Sequence, residues 1–296
     1  VYALGLAVAG AAAVVAWNSW TARPPIREGA PGWTPDGRRL VFYSEQPGGK
    51  ADLFIMDADG GNRRRLFASE ADEGAPAVSP NGQALAYDTD RDGNFEIYAR
   101  ALDGSWDRRL TSHPGRDVAP AWSPDGEWIV FMSDRLARPE FDVYRMKADG
   151  SAVERLTTQA TNWFPQFAPN GRTLALHVWR DVHLLHLESR VLQRLTVDPA
   201  NGMYPSWSPD GGRIAFMSWR NGPTELFTMN ADGTDQTRLV TMPQGSAIDP
   251  RWSPDGRRIA FVHVPERSVH DQQTATESRL IYVVDLETRQ LTPLSR

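Results

Sequence analysis

One short pattern, repeated six times, constrains this 296-residue chain more than any other feature. It reads Pro, any residue, an aromatic or apolar residue, a small residue, then Pro, Asp or Asn, and Gly. The copies are PGWTPDG at 31–37, PAVSPNG at 76–82, PAWSPDG at 120–126, PQFAPNG at 165–171, PSWSPDG at 205–211 and PRWSPDG at 250–256. They recur at about 40–45 residues, the length of a four-stranded propeller blade. A unit of that size cannot bury its apolar faces alone, and stacking the units radially around a channel supplies the missing cover.

Each copy prescribes its own local structure. The proline sets φ, the Asp or Asn side chain accepts nearby backbone N–H groups, and the glycine takes positive φ, so the motif ends in a tight turn. Apolar runs follow, such as Leu40–Phe42, Ile129–Phe131, Ile214–Phe216 and Ile259–Phe261, and these predict a buried strand. A second loop leads to a third strand at Asp52–Ile55, Glu96–Tyr98, Asp142–Tyr144, Glu225–Phe227 and Leu280–Tyr282. A short last strand ends in Arg-Leu-Thr or a variant of it, around Leu66, Leu110, Leu156, Leu195, Leu239 and Leu291. The recurring Trp33, Trp122, Trp207 and Trp252 invite an aromatic-cage reading. Their recurrence at one blade position predicts packing between blades instead.

The expected fold is all-β: a six-bladed β-propeller over residues 28–296, preceded by a linker at 21–27 and a single N-terminal transmembrane helix at 1–20. Tyr2–Ala16 carries no charge; Leu4, Leu6, Val8, Val14 and Val15 supply its apolar surface, and Trp17 and Trp20 fit an interfacial belt. The competing reading is a cleaved secretory signal ending near Val14-Val15-Ala16. The reading adopted is a retained anchor, packed against another membrane component through small residues such as Ala3, Ala7 and Ala11.

Composition excludes several function classes. A net charge of −5 and a pI near 5.7 leave no footprint for nucleic acid. With no cysteine, there is no disulfide framework, no thiolate zinc site and no thiol nucleophile. No Gly-x-Ser-x-Gly elbow occurs, which argues against a serine peptidase. No cofactor is expected.

Taken together, Pro-x-Trp-Ser-Pro-Asp-Gly, Ile-Ala-Phe, Glu-Ile-Tyr, Ala-Asp-Gly and Arg-Leu-Thr resemble the TolB-type, WD40-like propeller repeat over about residues 28–296. The resemblance implies a bacterial, commonly periplasmic protein that works through protein contacts. TolB carries an α/β domain ahead of its propeller, whereas a helix and a linker are the expectation here.

Three residues before the motif prolines stand Glu28, Glu73, Asp117, Asn162, Gly202 and Ala247. In register, the first four predict an acidic or polar crescent at one channel mouth. Neighbouring loops carry Arg91, Arg135, Arg180 and Arg220. These form either a charged rim that selects a protein or peptide partner or bridges between blades that pair with the carboxylates; bridging is preferred. Trp163, Trp179 and Trp219 lie outside the repeated aromatic positions and predict a protein-contact patch. The segment DTDRDG at 88–93 matches the first half of a calcium loop, but the required bidentate acid falls at Ala99, so no metal is expected. His183 and His186 point to opposite faces of a strand and do not share a metal with His177. Val264–Arg279 is the longest departure from the repeat and predicts a long polar loop.

The function expected first is a non-enzymatic, membrane-anchored propeller, acting as an accessory or scaffolding subunit of a larger bacterial membrane complex. A photosynthetic reaction centre or a respiratory complex is the host considered. Its partners would be other protein subunits and membrane lipid, with the anchor in the inner membrane and the propeller in the periplasm. The alternative is a TolB-like periplasmic module that binds a protein or peptide in envelope maintenance. A propeller lyase or lactonase working through channel-mouth carboxylates ranks last.

Overall fold

The motif turns form as their residues require. In the sixth copy the Gly256 N–H donates to Ser253 O at 2.9 Å, and Gly256 sits at φ +70°. The Ser253 hydroxyl donates to Asp255 and accepts the Arg258 N–H at 2.9 Å; Asp255 Oδ1 takes the Arg257 N–H at 3.0 Å. Thr34, Ser79, Ser123 and Ser208 accept the equivalent N–H in their own turns. Blade four has Ala168 at this place and retains the Asn170 bond to the Arg172 N–H.

The computed structural model describes residues 26–45, 48–136, 140–158, 162–197, 201–242, 244–265 and 278–295. They form six four-stranded antiparallel sheets, each built from strands consecutive in sequence. Blade six follows the same rule, with strands Ser246–Trp252, Arg258–Val264, Leu280–Asp285 and Leu291–Pro293. The ring thus closes blade against blade, without exchange of terminal strands. At the closure the Glu28 N–H donates to Arg279 O at 3.0 Å and the Arg279 N–H to Ile26 O at 2.8 Å. Interior seams use a similar bond, from Asp117 to Phe95 O and from Ala247 to Thr224 O, both at 2.8 Å.

The core lies in the seams. One cluster joins Ala86, Ile97 and Leu110 of blade two to Ile129, Phe131 and Met146 of blade three. Burying side chains of this size contributes about 1.5–3 kcal/mol each. Two motif tryptophans reach back to the preceding blade: Trp33 Nε1 donates to Arg251 O and Trp122 Nε1 to Ala77 O, both at 3.1 Å.

The Arg-Leu-Thr signature is a latch. Thr111 Oγ1 accepts the Ile97 N–H at 2.9 Å and donates to Glu96 at 2.6 Å, while Arg109 pairs with the same carboxylate at 2.9 Å. Thr196, Asp181 and Arg194 repeat the arrangement in blade four. In blade six Ser295 takes the Ile281 N–H at 2.9 Å, and Leu280 stands where other blades carry the carboxylate.

The anchor residues Leu4, Leu6, Val8, Val14, Val15, Trp17 and Trp20 lie outside the described residues. Among the described residues no helix is long and apolar enough to cross a membrane, so the expected transmembrane helix has no counterpart there. Arg27, assigned to the linker, opens the first strand of blade one, Arg27–Trp33. Most of the long polar loop, residues 266–277, also lies outside the described residues.

Candidate functional site

The first strand of every blade carries a bulge. The residue just before each motif proline has positive φ: Ala30 (48°), Ala75 (39°), Ala119 (54°), Phe164 (52°), Tyr204 (52°) and Asp249 (53°). The sheet register shifts at each of these points. A residue before proline favours extended backbone, so neighbouring structure has to hold this conformation. In blades three, four and five it does so through side chains on the second strand of the preceding blade. The Ala119 N–H donates to Asp88 Oδ2 at 2.8 Å, that of Phe164 to Met132 Sδ at 2.9 Å, and that of Tyr204 to His177 Nδ1 at 3.3 Å.

The bulge residues make the channel lopsided. Blades one to three place alanine there, whereas blades four to six place Phe164, Tyr204 and Asp249. The Phe164 and Tyr204 rings stack at 4.3 Å, and His177 stacks beside Trp163 and Phe164. Space is left on the alanine side, in a central cavity of about 330 Å³ whose walls include Ala30, Ala75, Ala119, Phe164 and the motif tryptophans. Arg251 is the charged residue of this wall, with Nη1 2.8 Å from Asp249 Oδ1 and 2.9 Å from Pro250 O. Burial pushes His177 down to about 3, with His183 adding to the effect. Burial also raises Asp88 to about 6, against the pull of the Ala119 N–H.

The predicted acidic crescent is closed to solvent. Glu28, Glu73 and Asp117 are buried between blades rather than displayed at a mouth, because each start-of-strand side chain is covered by the preceding blade. Asp117 pairs with Arg135 at 2.8 Å and Glu28 with Arg63 at 2.9 Å, while Arg91 comes no closer to Glu73 than 3.9 Å. Asn162 begins the first strand of blade four, Asn162–Phe167. Arg63 was not legible as a member of this set. It comes from the loop before the last strand of blade one, yet it covers Phe42 and Phe54 as Arg91 covers Tyr87 and Tyr98, Arg135 covers Phe131 and Tyr144, and Arg220 covers Phe216 and Phe227. The only available signal was the Arg63-Arg64-Arg65 run.

The three candidate tryptophans separate. Trp163 packs inside against Phe141 at 5.2 Å, and Trp219 packs partly buried against the blade-five seam under Arg180. Trp179, at the tip of a blade-four hairpin, is 71% exposed. In the calcium-like segment Asp88 binds the Ala119 N–H, Asp90 accepts the Asp72 N–H and Asp92 pairs with Arg109. Among the described residues no three His, Asp or Glu side chains come together as a metal set.

Glu73 makes the seam sensitive to pH. Burial raises it from 4.5 to about 7, with Ser69 and Arg91 opposing less strongly. The folded state then holds a proton that the unfolded chain has already released, so stability falls as pH rises from about 4.5 through about 7. Glu73→Gln is expected to be more stable than the parent by about 1–2 kcal/mol at pH 8.5, with the gap closing below pH 4.5. Urea titrations at pH 8.5 and 4.5 check this; an identical gap at both would refute it.

Residues 68–179 and 158–282 match the family model of the TolB beta propeller domain. The chain is 32% identical over 205 residues to protein Atu1656 of Agrobacterium fabrum, covering 64% of this chain and 54% of that one. It is also 32% identical over 205 residues to a TolB homolog of Chlorobium luteolum, covering 68% of this chain and 36% of the relative. The chain thus spans about half the length of the first relative and about a third of the second. The structure of a putative TolB from Agrobacterium tumefaciens superposes with a TM-score of 0.69 at 21% identity, covering 79% of this chain and 84% of that one. A family model that matches most of the chain, on six sheets whose motif turns recur blade by blade, means that the chain belongs to the TolB β-propeller family.

Proposed function

We propose that this propeller is a partner-binding module of the bacterial envelope, TolB-like in its periplasmic setting, whose central cavity receives a short apolar segment of another protein. The observation that carries the reading is the cavity wall. All six blades contribute to it, and among the described residues it combines proline and aromatic surface with a single charged side chain, Arg251. Such a surface gains from covering apolar groups, while Arg251 supplies a donor for a peptide carbonyl or carboxylate. Family membership supports a periplasmic binding role over an accessory role in a photosynthetic or respiratory membrane complex, a role that depends on an anchor at residues 1–20. The described lining offers no acid–base pair or metal set on which a lyase or lactonase mechanism could be built.

The test uses the full chain as bait in envelope extracts of its own bacterium, beside an Ala77→Trp variant. Ala77 lies in the cavity wall, and a tryptophan there fills the space. A discrete protein recovered by the parent and lost by a variant with an unchanged melting profile supports the reading. Equal recovery by both proteins sinks it.

A further inference from the structure

The channel end away from the motif turns is rimmed by the hairpins between second and third strands, and its charge is unevenly balanced. In blades one to three the guanidiniums face carboxylates: Arg63 meets Glu28 at 2.9 Å, Arg91 meets Asp107 at 3.2 Å, and Arg135 meets Asp117 at 2.8 Å. In blades four and five the corresponding start-of-strand positions are Asn162 and Gly202. Arg220 bonds there to neutral partners, Ser218 Oγ at 3.0 Å and Gln236 Oε1 at 2.9 Å. Arg180 lies over the Trp219 ring at 5.7 Å. Among the described residues neither guanidinium has a carboxylate within ion-pair distance. Among the described residues, this sector therefore carries two guanidiniums without a carboxylate partner.

The same sector displays apolar surface. Trp179 is 71% exposed, and Val197, in the loop leaving blade four, is 60% exposed. Trp179 is also held at φ +57°. That region disfavours a bulky L-residue and suits glycine or asparagine. Most of the indole covers nothing in the propeller, so packing does not explain why a strained turn carries tryptophan. An exposed indole beside guanidiniums that meet no carboxylate among the described residues is suited to holding a partner through one apolar contact and charge-assisted hydrogen bonds.

We propose that the blade-four and blade-five sector of this rim binds an acidic protein segment, its carboxylates engaging Arg180 and Arg220 while an apolar side chain rests on Trp179. Arginine favours carboxylates because its planar fork donates two parallel hydrogen bonds. This site lies at the opposite end of the channel from the cavity, so either can fail without the other.

The experiment measures fluorescence anisotropy of a labelled twelve-residue peptide of alternating glutamate and leucine against the full chain. The same peptide with lysine for glutamate, and phosphatidylglycerol vesicles, serve as competing probes. The glutamate peptide is expected to bind, with an affinity that falls as salt rises. Arg180→Glu is expected to weaken it about tenfold and Trp179→Gly about fivefold. Trp179→Gly should melt at or above the parent temperature, because glycine relieves the left-handed backbone. That readout separates a contact role from a structural one. No binding of the glutamate peptide, equal binding of the lysine peptide, unchanged affinity in both variants, or binding to vesicles alone would each overturn the proposal.

Discussion

Phe131→Ala is expected to lower the unfolding free energy by about 3–5 kcal/mol. Phe131 is fully buried in the seam where Ala86, Ile97 and Leu110 of blade two meet Ile129 and Met146 of blade three. Its ring stacks on Tyr144 at 5.8 Å and lies under the Arg135 guanidinium at 5.4 Å. Truncation opens a cavity in that seam and removes one of the two rings that position Arg135. The same guanidinium is 2.8 Å from the buried Asp117 carboxylate, so its displacement also leaves a charge poorly compensated. Phe131→Leu should lose less, about 1.5 kcal/mol or under, because blade four carries Leu176 at the equivalent place. Urea unfolding of the three proteins at pH 7 decides it. A loss under 1.5 kcal/mol for the alanine variant would mean that the seams are not where stability resides.

What the sequence made legible was the repeat and what it dictates locally. Pro-Asp-Gly announces a turn through backbone chemistry alone, and six turns at one spacing announce six sheets. The packing of Trp33 and Trp122 between blades follows from recurrence, since a ligand cage has no need of one copy per blade. The bulges were hidden for a physical reason. The residue before a proline favours extended backbone, yet Ala30, Ala75, Ala119, Phe164, Tyr204 and Asp249 all turn left-handed. At Ala119, Phe164 and Tyr204 that conformation is held by hydrogen bonds to another blade about thirty residues back, a relation no local window contains. Glu28, Glu73 and Asp117 misled for a similar reason. A carboxylate at a strand start reads as solvated until the covering blade is in place.

The lopsided channel explains why one repeat can give two unlike ends. The motif half is nearly the same in every blade, so its aromatic and proline residues build a continuous wall. Beyond the bulges the blades diverge, with alanine on one side and Phe164, Tyr204 and Asp249 on the other. At the far rim the Arg–carboxylate pairs of blades one to three give way to Arg180 and Arg220, which among the described residues have no carboxylate partner. Fold repetition fixes the ring. Departures from repetition are where a partner can be told from a random surface.

His177→Met is expected to leave stability at pH 7 within about 1.5 kcal/mol of the parent and to raise it by about 2–3 kcal/mol at pH 4. The position already holds methionine in blade three, where Met132 Sδ accepts the Phe164 N–H at 2.9 Å just as His177 Nδ1 accepts that of Tyr204 at 3.3 Å. Methionine can therefore keep the bulge bond and fill similar volume, while removing a group that titrates. His177 is 1% exposed among the Trp163, Phe164 and Tyr204 rings, and burial lowers it from 6.5 to about 3. The unfolded chain takes up a proton below pH 6.5 that the folded protein refuses. The stability His177 contributes is therefore complete above that pH and is lost progressively as pH falls toward 3. Glu73 and Asp88 work in the opposite direction over an overlapping range, so the parent curve alone cannot isolate the histidine. The difference between parent and variant can, because the carboxylates are common to both. Urea midpoints at pH 7 and pH 4 should diverge on acidification; parallel curves would show that the ring accepts the proton in place.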